Sequence, residues 1–364
     1  MNVCYNNLDG LSAAMPIINS VHILIEAPLR ASAFGSPPLP APSEEPFFSF
    51  LAAWVAKVGQ LTCKITERST NNDKVCQLIA QCTNLQRAEV HENPRVLEAV
   101  LMHRVSELTV HCDANETALT APIARWLASD CAVRLTLYRF GVGDCTGLAR
   151  AIATSPTLSH LALRESSAVR AGIVANGLML RHVTHFEYFT LPGYHRFEAA
   201  LAMLNLGSLV KLVLGGQSAY ATDLSCLLPA LPHLSALDEL QLFDISMDAR
   251  PATHQTWTVA PRVRYIKLHD VRFSVESRRA ILEWAGRSDR LDILRWPNCA
   301  ASDRNGSFVG DDLQRIIQAG VRTIHCDWQL DQRDIAALTK GIHGSHAPRK
   351  PVATRACYVH KRRH

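Results

Sequence analysis

Residues 132–163 read AVRLTLYRFGVGDCTGLARAIATSPTLSHLAL. The stretch opens and closes on the same six-residue figure: apolar, two variable, apolar, one variable, apolar. Its apolar positions are Ala132, Leu135 and Leu137 in the first copy, and Leu158, Leu161 and Leu163 in the second. The last two alternate with variable residues, as in a strand buried on one face. Between the copies Leu148 and Ile152 stand at helical spacing, after Asp144, a residue type that satisfies free N–H groups at a helix start. The stretch therefore encodes strand, helix, strand.

Working outward, the figure recurs in LQRAEV (from Leu85), VSELTV (Val105), VTHFEY (Val183), LVKLVL (Leu209), LDELQL (Leu237), VRYIKL (Val263), LDILRW (Leu291) and VRTIHC (Val321). Successive starts lie 20 to 30 residues apart, mostly 25 to 28. Two weaker copies precede these, Ile18/Val21/Ile23 and Val58/Leu61/Cys63. Helical spacing lies between copies at Val75/Leu78/Ile79, Phe197/Leu201/Leu204, Ile281/Leu282/Ala285 and Leu313/Ile316/Ile317. Capping residues precede these segments at Asn71-Asn72-Asp73, Asp144, Asp223, Ser274 and Asp311. One strand and one helix cannot bury their apolar faces alone, so a fixed period of this length predicts an α/β solenoid whose neighbours share a core. The segment PATHQTWTVAPR (251–262) carries two prolines and no helical spacing, and is read as loop or extended chain.

The repeat resembles the leucine-rich repeat superfamily. Residues 141–163 are similar to its ribonuclease-inhibitor-like class, and the period near 26 to the cysteine-containing repeats of F-box substrate receptors. The resemblance spans roughly residues 11–340. It implies about 11 to 12 irregular repeats, a curved solenoid with a parallel concave sheet, and helices on the convex side. The family places Asn or Cys at the ninth motif position. Here only Asn93 and Cys299 fit, so a continuous asparagine ladder is not expected and the turns should be irregular.

Two segments stand outside the pattern. Residues 26–46, rich in Pro, Ser and Ala, predict a mobile insertion. Residues 341–364 hold six Lys or Arg and no acid, and predict a disordered basic tail suited to acidic surfaces or nuclear import. The whole chain carries +5; without those six charges residues 1–340 stand at −1, which argues against a protein-wide nucleic-acid footprint. No run of roughly 18 apolar residues and no leader pattern is present. Eleven scattered cysteines without a leader predict reduced thiols and a cytoplasmic, possibly nuclear, location.

In such a solenoid the variable strand positions line the concave face. The residues assigned to partner binding are Arg87, His111, Tyr138, Arg139, His160, Arg164, His185, Phe189, Phe243, Tyr265, Lys267, His269, Arg295, His325 and Trp328. Aromatic rings and arginines are the usual anchors of protein interfaces. Glu89 and His91 share that face. Six of its histidines (His91, His111, His160, His185, His269, His325) suggest pH-sensitive binding.

No metal site or cofactor is expected. The tripeptides His111-Cys112-Asp113 and His325-Cys326-Asp327 fall at different motif positions, Cys326 is a core position, and no paired-cysteine zinc spacing occurs. Phosphate-loop and nucleophile-elbow motifs are lacking, so catalytic residues are not assigned. The expected function is a protein-interaction scaffold with a protein partner. The alternative is the substrate-recognition arm of an F-box-type ubiquitin ligase, its partner a ligase adaptor. An enzyme on another α/β fold is the least favoured reading.

Overall fold

The computed structural model describes residues 20–25, 52, 58–65, 72–112, 116–191, 197–216, 223–247, 261–288, 290–296, 300–301, 323–326 and 358–359. The insertion at 26–46, the helical segment around Leu313, Asp311 and most of the basic tail lie outside these residues. The chain divides into two compact units, residues 1–178 and 179–364.

In the first unit six strands pair in parallel, in chain order: β1 (Ser20–Ile25), β2 (Gln60–Ile65), β3 (Arg87–His91), β4 (Glu107–His111), β5 (Arg134–Tyr138) and β6 (His160–Arg164). Helices α1 (Asn72–Ala80), α2 (Pro94–Leu101), α3 (Glu116–Leu127) and α4 (Thr146–Thr154) join successive strands, and α5 (Ser167–Ala175) follows β6. Parallel strands need such crossovers, and here each spans one period of the sequence.

The second unit repeats the plan. Strands β7 (His185–Phe189), β8 (Lys211–Gly215), β9 (Glu239–Met247), β10 (Tyr265–Phe273) and β11 (Ile293–Trp296) pair in parallel. β12 (Ala300–Ala301) pairs the end of β10, β13 (Thr323–Cys326) pairs β11, and β14 (Tyr358–Val359) pairs β13. Its described helices are α6 (Phe197–Ala202), α7 (Leu227–Ala230) and α8 (Val275–Gly286). The architecture is an α/β solenoid of repeating β–α units.

Register follows the sequence figure. The fourth motif positions pair across strands as Val21, Leu61, Ala88, Leu108, Leu135 and Leu161. In the second unit Phe186, Leu212, Leu240, Ile266, Leu294 and Ile324 do the same. Residues of the fourth and sixth positions in β3 to β10 are buried, among them Leu108, Val110, Leu135 and Leu137, while most of those between them stay half-open, the small Ala162 and Val213 excepted. A slip of one residue would exchange the two faces, so burial fixes the register. The helices add Val96, Leu97 and Val100 from α2 and Leu148, Ala149 and Ile152 from α4 to the same core. Each fully buried large aliphatic side chain contributes about 1.5–3 kcal/mol.

One backbone device marks the strand entries. A single carbonyl accepts from two successive N–H groups of the next repeat: Gly59 from Gln86 and Arg87, Gln86 from Ser106 and Glu107, Ser106 from Val133 and Arg134, Val133 from Ser159 and His160. In the second unit Thr184, Val210, Asp238 and Arg264 accept in the same way.

A second device follows the seventh motif position, at the ends of β3, β5 and β6 and within β9 and β10. Glu92, Arg139, Glu165, Asp244 and Asp270 all occupy the eighth motif position and all have positive φ, between 46° and 61°. Such backbone costs a side-chain-bearing residue on the order of 1–3 kcal/mol. It turns the ninth residue inward, where Asn93, Phe140, Ser166, Ile245 and Val271 are buried. The expected break in the asparagine ladder is visible in what these ninth residues do. Asn93 Oδ1 accepts from Val96 N at 3.1 Å, and its Nδ2 donates to Ile65 O at 3.2 Å and Asn72 Oδ1 at 2.8 Å. Ser166 Oγ accepts from Phe140 N and donates to Leu137 O at 3.0 Å. Phe140, Ile245 and Val271 fill the position with apolar bulk instead. After Ile245 and Val271 the chain stays extended, so β9 and β10 run nine residues each. Residues 251–260, read as loop or extended chain, lie outside the described residues.

The capping residues divide. Ser274 caps α8, its hydroxyl accepting from Ser277 N at 3.1 Å. Asp144 sits one residue before the N-cap of α4, Cys145, and Asp223 three residues before that of α7, Cys226. They accept from Thr146 N and Ser225 N at 2.9 and 3.0 Å, in turns that lead into α4 and α7. No described helix is long and apolar enough to cross a membrane.

Candidate functional site

The half-open positions of the strands form rows across each sheet. In the first unit the row at the strand ends joins Lys64, His91, His111, Tyr138 and Arg164 by register. Strand spacing near 4.8 Å lets flat side chains lie against one another, and three of these do. The His91 and His111 rings stack at 3.9 Å and 9°, and those of His111 and Tyr138 at 4.1 Å and 6°. The Arg164 guanidinium lies 5.4 Å from the Tyr138 ring centre.

Glu89 stands two residues before His91, in the middle row. Its Oε1 accepts from His91 Nε2 at 3.1 Å and from His111 Nε2 at 3.0 Å. Thr62 Oγ1 donates to its other oxygen at 3.4 Å. An ionised carboxylate only accepts, so both imidazoles carry their proton on Nε2 in this arrangement. Hydrogen bonds from His111 and then His91 hold the Glu89 carboxyl well below the usual carboxylate range, outweighing partial burial. The three side chains are 21–36% exposed, accessible without being free in solvent.

The entry row holds further charged residues of this unit. Glu107 Oε1 pairs with Arg87 Nε at 3.2 Å, and its Oε2 lies 4.0 Å from Arg134 Nε. His160 belongs to this row and not to that of His111; its Nδ1 shares a proton with Ser159 Oγ at 2.8 Å. Arg139 lies beyond the strand end, at a positive-φ position, and its Nε stands 3.5 Å from Glu165 Oε2.

In the second unit the end row is Phe189, Gly215, Phe243 and His269. A side chain at Gly215 would meet the Phe189 ring at 2.4 Å. Phe189 thus lies over the bare glycine and reaches Phe243, with ring centres 5.9 Å apart. Phe243 and His269 follow at 6.0 Å, and Lys267 Nζ sits 4.7 Å above Phe243. His269 Nδ1 lies 2.9 Å from Asp270 Oδ2. Burial and the neighbouring Asp270 push the Asp244 carboxyl upward. In the entry row His185 Nδ1 is hydrogen-bonded to Thr184 Oγ1 at 2.9 Å, Lys211 pairs with Glu239 at 3.2 Å, and the Tyr265 ring lies 5.6 Å from Cζ of Arg295 in the middle row.

The structure therefore brings His111, Tyr138 and Arg164 together, and Phe189, Phe243, Lys267 and His269 together. Arg87 and His160 lie in a separate row, and Arg139 off the rows. His325 is placed by backbone only, in register with Arg295. Trp328 lies outside the described residues. No family model and no curated protein matches this sequence. The Glu89–His91–His111 triad went unrecognised as a unit in the sequence. Its signal was present, since His91 and His111 share the seventh motif position in successive copies. Cys112, by contrast, is fully buried and takes no part.

Proposed function

We propose that this chain is a protein-interaction scaffold that holds a partner on the open strand faces, as a member of the leucine-rich repeat superfamily would. The observation that carries this reading is the end rows. Flat aromatic and cationic side chains lie against one another there, on faces whose strand residues are mostly half-open: His91, His111, Tyr138 and Arg164 in one unit, Phe189, Phe243 and His269 in the other, with Lys267 of the middle row over Phe243. Their neighbours limit their rotation, so little side-chain freedom remains to be lost on binding. Rings and guanidinium groups are the side chains that dominate interface energetics.

The test is affinity capture from the native cell type with the parent chain, with Tyr138→Ala plus Phe243→Ala, and with Arg95→Ala on the helical side as a control. Each anchor at an interface centre is worth about 2 kcal/mol, roughly 30-fold in Kd. The expected result is a partner retained by the parent and the control but lost by the double variant with an unchanged circular dichroism spectrum. Equal recovery with all three would remove the strand faces as the binding surface. A ligase adaptor among the recovered proteins would favour the ubiquitin-ligase assignment.

A further inference from the structure

We propose that Glu89, His91 and His111 form a binding site for one divalent transition-metal ion, Zn2+ being the representative. The donor set is two imidazoles and a carboxylate, the mixed nitrogen and oxygen ligation that zinc and its neighbours favour. Calcium and magnesium favour oxygen ligands.

Spacing supports the assignment. Bonds of about 2.0–2.1 Å around a tetrahedral ion place its donor atoms roughly 3.3 Å apart. Glu89 Oε1 already lies 3.1 Å from His91 Nε2 and 3.0 Å from His111 Nε2, and one donor atom from each residue falls within 4.8 Å of the others. The backbone fixes this juxtaposition: Glu89 and His91 are two apart on β3, and His111 is the register partner of His91 on β4. Sites on paired strands hold their geometry better than sites on loops. Thr62 engages Glu89 Oε2, which leaves Oε1 for the ion. The triad is 21–36% exposed, so a hydrated ion can enter and keep water in its remaining position.

Binding requires a defined rearrangement. Each imidazole moves to the tautomer with its proton on Nδ1, exposing the Nε2 lone pair. The stacked planes must also open, because rings parallel within 9° cannot both point a lone pair at one ion. Tyr138 backs His111 at 4.1 Å, so His91 is the ring that turns.

The test uses the full chain, stripped with a chelator and titrated with ZnCl2 alone by calorimetry. In parallel, diethylpyrocarbonate labelling of the histidines is mapped by mass spectrometry with and without zinc. The expected result is one tight equivalent that protects His91 and His111 from labelling. Glu89→Gln keeps a carbonyl acceptor for both imidazoles and should weaken that equivalent by more than ~10-fold, since even an outer partner of a metal ligand is worth that much. His91→Ala with His111→Ala should abolish it. Equal labelling of His91 and His111 with and without zinc overturns the proposal, as does undiminished binding by Glu89→Gln. The labelling arm uses the unmodified chain, so it decides the matter even if the double alanine variant fails to fold.

Discussion

Replacing Asn93 with alanine should open one repeat locally and leave the rest of its unit intact. Asn93 is 1% exposed and caps α2, accepting from Val96 N. Loss of such a cap costs about 1 kcal/mol. The same side chain donates to Ile65 O and Asn72 Oδ1. An alanine leaves both without that donor in a buried place, at roughly 1 kcal/mol each on the low side of the usual range. The sum is about 3 kcal/mol, equivalent to roughly 100-fold in a local opening constant. Repeats contact chiefly their neighbours, so the loss should be read locally rather than from a global melt. The assay is native-state hydrogen exchange by mass spectrometry, comparing residues 94–101 with residues 146–154. Exchange in α2 should accelerate roughly 100-fold while α4 changes little. Asn205→Ala is the control, because Asn205 precedes a 3-10 turn with no side-chain cap bond. If α2 in Asn93→Ala exchanges within threefold of that control, the ninth-position asparagine is not the local fastening described above.

Buried thiols give a second expectation. Burial pushes Cys63 and Cys226 up to about 12 and Cys82 up to about 11, from an ordinary value of 9.0. The folded values are raised, so stability is unaffected below pH 9 and declines as pH rises from there toward 12. The urea midpoint should therefore fall between pH 8 and pH 10, and fall less in Cys63→Ala; equal falls in both chains would refute the assignment. A third expectation concerns Gly215→Ala, whose new methyl would occupy the place of the Phe189 ring. Phe189 should swing away from Phe243, seen as changed ring-current shifts, with stability altered by less than about 1 kcal/mol because Phe189 is half-exposed. Unchanged shifts would mean that the ring does not depend on the bare glycine.

Much of the fold is legible in the sequence because core burial imposes a period. Aligning the copies on Leu108, Leu135 and Leu161 yields the observed strand register directly. The positive-φ residues are only partly legible: Asp244 and Asp270 are of a type that tolerates such backbone, but Glu92, Arg139 and Glu165 are poor choices, and the burial of the following residue imposes it. After Ile245 the chain stays extended to Met247, whereas Asn93 at the same motif position caps a helix. The triad was missed for a geometric reason. Parallel strands join residues one period apart, as with His91 and His111, a proximity that does not show along the chain. The rows are not legible either: His160 and His111 share the open face but occupy different rows.

The forked carbonyl at the entries of β3 to β6 and β8 to β11 bears on how such a chain grows or shortens over evolutionary time. The carbonyl of Gln86 receives the N–H groups of Ser106 and Glu107, and the carbonyl of Ser106 receives those of Val133 and Arg134. Excising Ser106–Ala132 would bring Val133 and Arg134 to Gln86, donor for donor. The joint uses main-chain atoms alone, so it is indifferent to side-chain identity. Unequal recombination by whole periods thus meets a universal splice, and lineages can gain or lose copies while the exposed rows diversify independently.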